Sequence, residues 1–371
     1  RELDCSRNNI KSLDLSNHNS IQKLNCSSSK FDELNLDLSS KKDLQELDCS
    51  NVKVNNQRLQ TLDLSNNSDL RALNCSGNDI KELDLRNSYY LKALDCMENS
   101  IKTLDLRGFI YLDNLSCSVN GMEELYLKNN NSLRLINCDR NKLTELDLST
   151  CKNLIGLYCP GNPLLKKLDF KNNTKLKYLT CGGTDIYNGT PYSGGALEEL
   201  DISNCKSLLN IIIDGADFQK LDICSKYKGY ENYFNGSVEG VLGRIEIKNT
   251  LCSEITFKNL LVERVYLSNN KNLNNINIEE NVYLNQIFLG ENDSLTSLDA
   301  DKLIFGFSAS NPEEEEIRTE PAYIYDGATH NYDIKVDKET LRYDTSKLPG
   351  KFDTSVVKNL KSLDNNESEV G

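Results

Sequence analysis

The chain has 371 residues, of which 38% are hydrophobic, with no Trp, six Pro and a formal charge of −13. That acidic balance argues against nucleic acid and against an anionic membrane surface, since both are held by clustered Lys and Arg. No apolar run approaches the ~20 residues of a membrane-spanning helix, so no membrane insertion is expected of this segment.

A cysteine period dominates the chain from its start. Cys5, Cys26 and Cys49 lead into Cys75, Cys96, Cys117, Cys138 and Cys159, the last five spaced by 21 residues, and Cys181 follows. Two residues before each stands Leu or Ile, from Leu3 and Leu24 to Leu157 and Leu179. Five residues after each stands an apolar side chain: Ile10, Phe31, Val54, Ile80, Ile101, Met122, Leu143, Leu164 and Ile186. Three residues after, Asn recurs at Asn8, Asn78, Asn99, Asn120, Asn141 and Asn162. The pattern L-x-C-x-x-N-x-I is that of a leucine-rich-repeat strand with Cys in the second leucine slot. Alternate residues of a strand share a face, so Leu and Cys both point inward. The Asn is expected to bond locally to backbone and to tolerate the turn.

Stacked cysteines raise the question of disulfides or a metal. Their Cβ vectors run parallel into the core rather than towards one another, which disfavours disulfides. No C-x-x-C pair occurs, so zinc spacing is absent and no metal or other cofactor is expected. The ladder is read as buried free thiols. Cys151 and Cys205 occupy similar turn positions, Cys224 opens an insertion, and Cys252 fills the apolar slot five residues after Ile247.

About ten residues after each Cys comes a second extended piece, as in Leu62-Asp63-Leu64-Ser65, Leu104-Asp105-Leu106-Arg107 and Leu146-Asp147-Leu148-Ser149. Each coil therefore carries two inward pairs. The Cys half is assigned to a parallel sheet on the concave side and the Leu-Asp-Leu half to the opposite wall. Ten residues cannot hold a helix and two turns, so helices should be nearly absent. The fold class expected is a mainly β repeat solenoid, a curved right-handed superhelix with a small β-rich C-terminal tail. The outward Asp of each second half (Asp14, Asp63, Asp84, Asp105, Asp147, Asp169, Asp201, Asp222) forms a carboxylate row. A calcium wall is disfavoured, because single carboxylates lack the six to eight oxygens calcium takes. Each Asp is expected instead to accept bonds from Ser and backbone groups of the neighbouring coil.

Regularity decays after Cys181. Insertions fall near residues 182–197, with Tyr187 and Tyr192, and 224–243, with Tyr230 and Tyr233. Aliphatic pairs continue without Cys from Ile245/Ile247 to Leu298/Ala300. The solenoid is assigned to 1–302. Residues 303–371 are read as a cap or the start of an immunoglobulin-like module, with an acidic loop at 311–321 carrying Glu313–Glu316. The chain opens at Arg1 inside a repeat strand with no cap before it, which is read as a processed or truncated piece.

With its cysteine ladder the sequence resembles bacterial cell-surface leucine-rich-repeat proteins of the internalin class, over roughly residues 1–300 and most strongly from Leu70 to Cys181. The resemblance implies an exported, adhesin-like protein located outside the cell or on its surface. It carries over no ligand residues.

Enzyme chemistry is not expected. His18 and His330 lie more than three hundred residues apart, neither stands beside a nucleophile motif, and no phosphate-binding loop appears. The concave face instead changes character along the chain. Glu2/Asp4/Ser6 and Glu46/Asp48/Ser50 are polar and acidic, whereas Leu135/Asn137/Asp139, Gly156/Tyr158/Pro160 and Tyr178/Thr180/Gly182 bring in apolar and aromatic side chains. Exposed Tyr among small residues is a binding-surface composition, and insertions on a rigid scaffold often carry binding. The expected ligand contacts are Leu135, Tyr158, Tyr178, Tyr187, Tyr192, Tyr230 and Tyr233. The reading is a monomeric, non-catalytic binding protein for a host protein or glycan. Its alternatives are an intracellular acidic repeat protein holding a basic partner, and a structural spacer displaying distal modules.

Overall fold

The computed structural model describes residues 1–32, 36–183, 197–205, 207–224, 243–258, 262–279, 286–290, 292, 294–295, 297–302, 323–326 and 330–333. The chain divides into two compact units, Arg1–Lys175 with Thr184–Gly194, and Leu176–Gly183 with Gly195–Gly371. No helix occurs among the described residues. Most of both insertions, the acidic loop and most of 303–371 lie outside them.

In the first unit the Cys half of each coil gives a three-residue strand. Glu2–Asp4, Lys23–Asn25, Glu46–Asp48, Ala72–Asn74, Ala93–Asp95, Asn114–Ser116, Leu135–Asn137 and Gly156–Tyr158 pair in chain order, all parallel. The central residues stay in one register from Leu3 through Leu24, Leu47, Leu73, Leu94, Leu115 and Ile136 to Leu157. A one-residue slip would expose every one of these side chains, so burial holds the register. The Cys lies one residue past each strand, and its N–H still bonds across coils, as from Cys96 to the Ser116 carbonyl at 2.8 Å.

The far wall is mostly extended chain. Thr103–Asp105 and Glu124–Tyr126 pair there as a parallel two-stranded sheet. The first three coils add a small sheet that the sequence pattern does not announce. In it Asn9–Ile10, Lys30–Phe31 and Lys53–Val54 run parallel, and Gln57–Arg58 turns back antiparallel.

One coil shows the core. Leu91, Leu94, Cys96, Ile101, Leu104, Leu106 and Phe109 are all at most 3% exposed. Full burial of each such large side chain is worth about 1.5–3 kcal/mol before entropy is counted. The ladder cysteines are free thiols, all buried except the half-buried Cys5. The apolar slot after Cys159 is a correction: Leu164 is 50% exposed and Leu165, at 3%, takes the inward position. Pro163 sits in the turn here and moves the inward slot by one residue.

The ladder Asn has a larger role than a local turn residue, and it is not the residue that adopts the turn conformation. The left-handed backbone falls one position earlier, at Arg7, Ser28, Asn51, Gly77, Glu98, Val119, Arg140 and Gly161, with φ between 51° and 68°. The Asn side chain ties coils together. Asn120 donates from Nδ2 to the carbonyls of Cys96 and Cys117, both at 3.0 Å, and accepts at Oδ1 from the Ile101 N–H at 3.1 Å. Asn78, Asn99, Asn141 and Asn162 repeat the arrangement. This supplies partners to buried backbone that no strand reaches.

From the second coil on, the far turn of the first unit holds a second inward column, three residues after the Leu-x-Leu or Leu-x-Phe pair: Lys41, Asn67, Ser88, Phe109, Asn130, Cys151 and Asn173, none more than 3% exposed, whereas His18 of the first coil is exposed. That column accounts for Cys151. The Asp row is also resolved differently from expectation. From Asp14 to Asp201 the row's carboxylates accept the backbone N–H two residues on in their own coil, as Asp63 from Ser65 at 2.9 Å and Asp147 from Ser149 at 2.9 Å. The geometry is that of an Asx-turn, whose partner is local because the chain bends at once after the Leu-x-Leu pair.

In the second unit the strands lengthen where Ile and Val replace Leu and Cys, as β-branched side chains favour extended backbone. Tyr178–Cys181, Asn210–Ala216, Gly243–Thr250, Val262–Ser268, Gln286–Gly290 and Tyr323–Asp326 form one parallel series, closed by antiparallel His330–Asp333. The Cys slot continues from Cys181 to Ile213, Ile247, Leu267 and Leu289. Lys220–Cys224, Glu254–Lys258, Asn275–Glu279 and Ser297–Lys302 form a second parallel sheet. Cys205 and Cys252 are buried, at 1% and 0% exposure.

Candidate ligand-binding groove

The first-unit strands line a groove of about 730 Å³. Because side chains alternate and the register is unbroken, two rows flank the central leucines. One row reads Glu2, Lys23, Glu46, Ala72, Ala93, Asn114, Leu135 and Gly156; the other reads Asp4, Asn25, Asp48, Asn74, Asp95, Ser116, Asn137 and Tyr158. The groove passes from acidic, through small, to apolar.

At the acidic end Lys23 lies between Glu2, at 3.6 Å, and Glu46, at 3.3 Å. The bond to Glu46 and its charge hold the Lys23 ammonium above its ordinary pKa. Asp4 is held below its ordinary value by the bonds from Ser6. Asp95, further in, is pushed up by burial. Asp and Asn of the second row brace the following turn, as Asp48 does by accepting the Ser50 N–H at 3.0 Å and its hydroxyl at 2.7 Å. These groups are occupied in holding the scaffold.

The apolar end is different. Leu135 is 48% exposed and Tyr158 46%, beside the buried Gly156. The expected Leu135 and Tyr158 thus share the groove. Tyr178 is 38% exposed and stands at the start of the first strand of the second unit. Tyr187, Tyr192, Tyr230 and Tyr233 lie outside the described residues.

The thiols beneath the groove offer no chemistry to it. Burial pushes Cys26, Cys75 and Cys138 up to about 12, and Cys49, Cys96 and Cys117 well above the usual thiol value. A neutral buried thiol is neither a nucleophile nor a metal ligand. No group of three or more His, Cys, Asp or Glu side chains among the described residues is placed to hold a metal ion. No helix there is long and apolar enough to cross a membrane.

One exposed cluster escapes sequence reasoning: Tyr89, Tyr90, Ile110 and Tyr111, each between 47% and 58% exposed. The available signal was Ser88-Tyr89-Tyr90-Leu91 followed 21 residues later by Phe109-Ile110-Tyr111-Leu112, where other coils carry polar residues.

Together these features define a leucine-rich-repeat solenoid with cysteines stacked along one column. The structural likeness agrees. The functional domain of InlJ from Listeria monocytogenes, which includes a cysteine ladder, matches with a TM-score of 0.54 and 24% identity, over 78% of this chain and 64% of that one. The chain thus spans somewhat under two thirds of that domain, and the likeness is one of fold. An internalin, InlF, from the same organism matches at a TM-score of 0.41 and 17% identity, over 70% of this chain and 75% of that one. A leucine-rich-repeat protein of Leptospira interrogans matches at 0.41 and 16%, over 76% of this chain and 72% of that one. No protein-family model and no curated protein matches the sequence.

Proposed function

We propose that the chain is a non-catalytic, monomeric binding protein of a bacterial cell surface, which holds a host protein through the concave groove of its first unit. The observation that supports this is the pairing of exposed Leu135 and Tyr158 at one end of the groove, where neighbouring strands present small polar side chains. Rigid aromatic and aliphatic anchors beside a polar rim are the usual composition of a binding hot spot. The same reading extends to Tyr178, Tyr187, Tyr192, Tyr230 and Tyr233, each proposed as a contact in its own segment. Residues 303–371 are proposed as a cap or the first part of a further module.

The test is attachment of the labelled chain to cultured host cells, with and without protease treatment of the cells. Leu135→Ala with Tyr158→Ala should weaken attachment at least about tenfold, since truncated central anchors cost 2 kcal/mol or more. Asp4→Ala with Asp48→Ala should change it little. If the Asp pair abolished attachment, the Leu135/Tyr158 pair did not, and attachment faded with salt, the charge-driven alternative of a basic partner would replace this reading.

A further inference from the structure

We infer that Tyr89, Tyr90, Ile110 and Tyr111 form a second binding site, separate from the groove, for a short neutral oligosaccharide. The four occupy the same two positions of the far turn in consecutive coils, just before the chain enters the concave strands Ala93–Asp95 and Asn114–Ser116. The coil pitch brings Tyr90 beside Tyr111, with ring centroids 5.9 Å apart and planes 25° from parallel. Tyr89 leans on the buried Phe109 ring at 6.4 Å. Tyr89 is therefore braced from below and Tyr90 and Tyr111 by one another, which lowers the entropic cost of presenting the rings to a ligand.

The same two positions are polar in the adjoining coils. Exposed Ser68 and Asp69 lie on one side, Asn131 and half-buried Ser132 on the other. The result is an apolar floor between carboxylate, amide and hydroxyl groups. Sugars present this combination in reverse: flat C–H faces that stack on aromatic rings, and rims of hydroxyls that donate and accept.

Size and charge select the occupant. Half-exposed side chains of this kind offer on the order of 100 Å² each, so about 400 Å² in all. A stable protein interface needs roughly 800 Å² per partner, so a second copy of the chain is too large an occupant for this patch alone. The patch suits two or three sugar rings. The guanidinium groups next along the chain are already neutralised, Arg86 by Asp84 at 2.7 Å and Arg107 by Asp105. A charge-balanced floor matches a neutral sugar better than a sulfated or carboxylated one.

The experiment titrates the full chain with neutral tetrasaccharides of glucose, mannose, galactose and N-acetylglucosamine, read by calorimetry and by ligand-observed NMR. Saturable binding to at least one is expected. Tyr90→Ala and Tyr111→Ala should each weaken it at least about tenfold, whereas Tyr90→Phe and Tyr111→Phe, which keep the ring, should retain it within about threefold. Tyr158→Ala should leave it unchanged, which separates this site from the groove. Absence of binding to all four sugars, or binding that survives both alanine variants, would overturn the proposal. So would self-association by sedimentation that Tyr90→Ala abolishes, because the patch would then belong to a second copy.

Discussion

Asn141→Ala is the sharpest probe of what joins the coils. Asn141 is 3% exposed and accepts at Oδ1 from two backbone groups of the preceding coil, the Asn120 N–H at 3.1 Å and the Met122 N–H at 2.9 Å. Its Nδ2 donates to the carbonyls of Cys117 and Cys138. Those carbonyls keep a second donor after the substitution, from Asn120 and Asn162 respectively, both at 3.0 Å. The two N–H groups lose the partner seen here. A buried donor left unsatisfied costs about 1–3 kcal/mol, so the expected loss for the two is about 2–6 kcal/mol. Asn8→Ala is the control. Asn8 is exposed, donates only to the carbonyls of Cys5 and Ser6, and water can replace it, so about 1 kcal/mol or less is expected. Urea unfolding by circular dichroism measures both. Hydrogen exchange at the amides of Asn120 and Met122 localises the effect even if a repeat array loses all-or-none cooperativity. Asn141→Asp should keep the acceptor but aim a carboxyl at two carbonyls. Burial would raise its folded-state pKa, so that variant should lose stability as pH rises through it. If Asn141→Ala cost no more than Asn8→Ala and left exchange unchanged, the two N–H groups would have another partner and the argument would fail.

The thiol column gives a pH prediction. The folded-state values of Cys26, Cys75 and Cys138 are raised from 9.0 to about 12, so their contribution is intact below pH 9 and lost as pH climbs towards about 12. Replacing Cys75 and Cys138 by Ala should flatten this alkaline loss in a melting-temperature series; an unchanged slope would refute it. Cys117→Ser should cost on the order of 1–3 kcal/mol in urea, and more than Cys117→Ala, because a hydroxyl in that stack lacks a partner. Val119 is β-branched yet holds a φ of 55°. Val119→Gly should therefore raise the melting temperature slightly, the left-handed penalty of about 1–2 kcal/mol exceeding the entropic cost of Gly at about 0.5–1 kcal/mol; a fall would mean that Val119 packing outweighs strain.

The sheet and its register could be read from the sequence because the recurring Leu-x-Cys, spaced by 21 residues from Cys75 to Cys159, places like over like, and burial of Leu and Cys punishes any slip. The left-handed column could not. Arg7, Ser28, Glu98, Val119 and Arg140 are not residues that favour such backbone, and the conformation is imposed by bonds from the next coil, such as the Val119 N–H to the Asp139 carbonyl at 3.0 Å. The shift from Leu164 to Leu165 was hidden because two adjacent leucines satisfy the same pattern and only the turn at Pro163 decides between them. In the groove, Leu135 and Tyr158 followed from alternation along a strand. The cluster at Tyr90 and Tyr111 did not, because the two tyrosines look like scatter until the coil pitch stacks them.

The asparagine bonds also constrain how such a chain can change its length. Each ladder Asn from Asn99 to Asn162 serves its own coil and the one before it, so no coil of that stretch has a complete set of partners by itself. Excision of residues 96–116 would join Asp95 to Cys117, return each side chain to an equivalent slot and let Asn120 serve the coil formerly served by Asn99. Removal of twenty or twenty-two residues would instead leave a coil whose odd residue has to be absorbed in a turn, as the longer coils from Cys26 to Cys49 and from Cys49 to Cys75 absorb theirs while keeping the strand register. Descendants of this chain can therefore lengthen or shorten by whole coils at little cost, while other lengths have to be taken up between the strands.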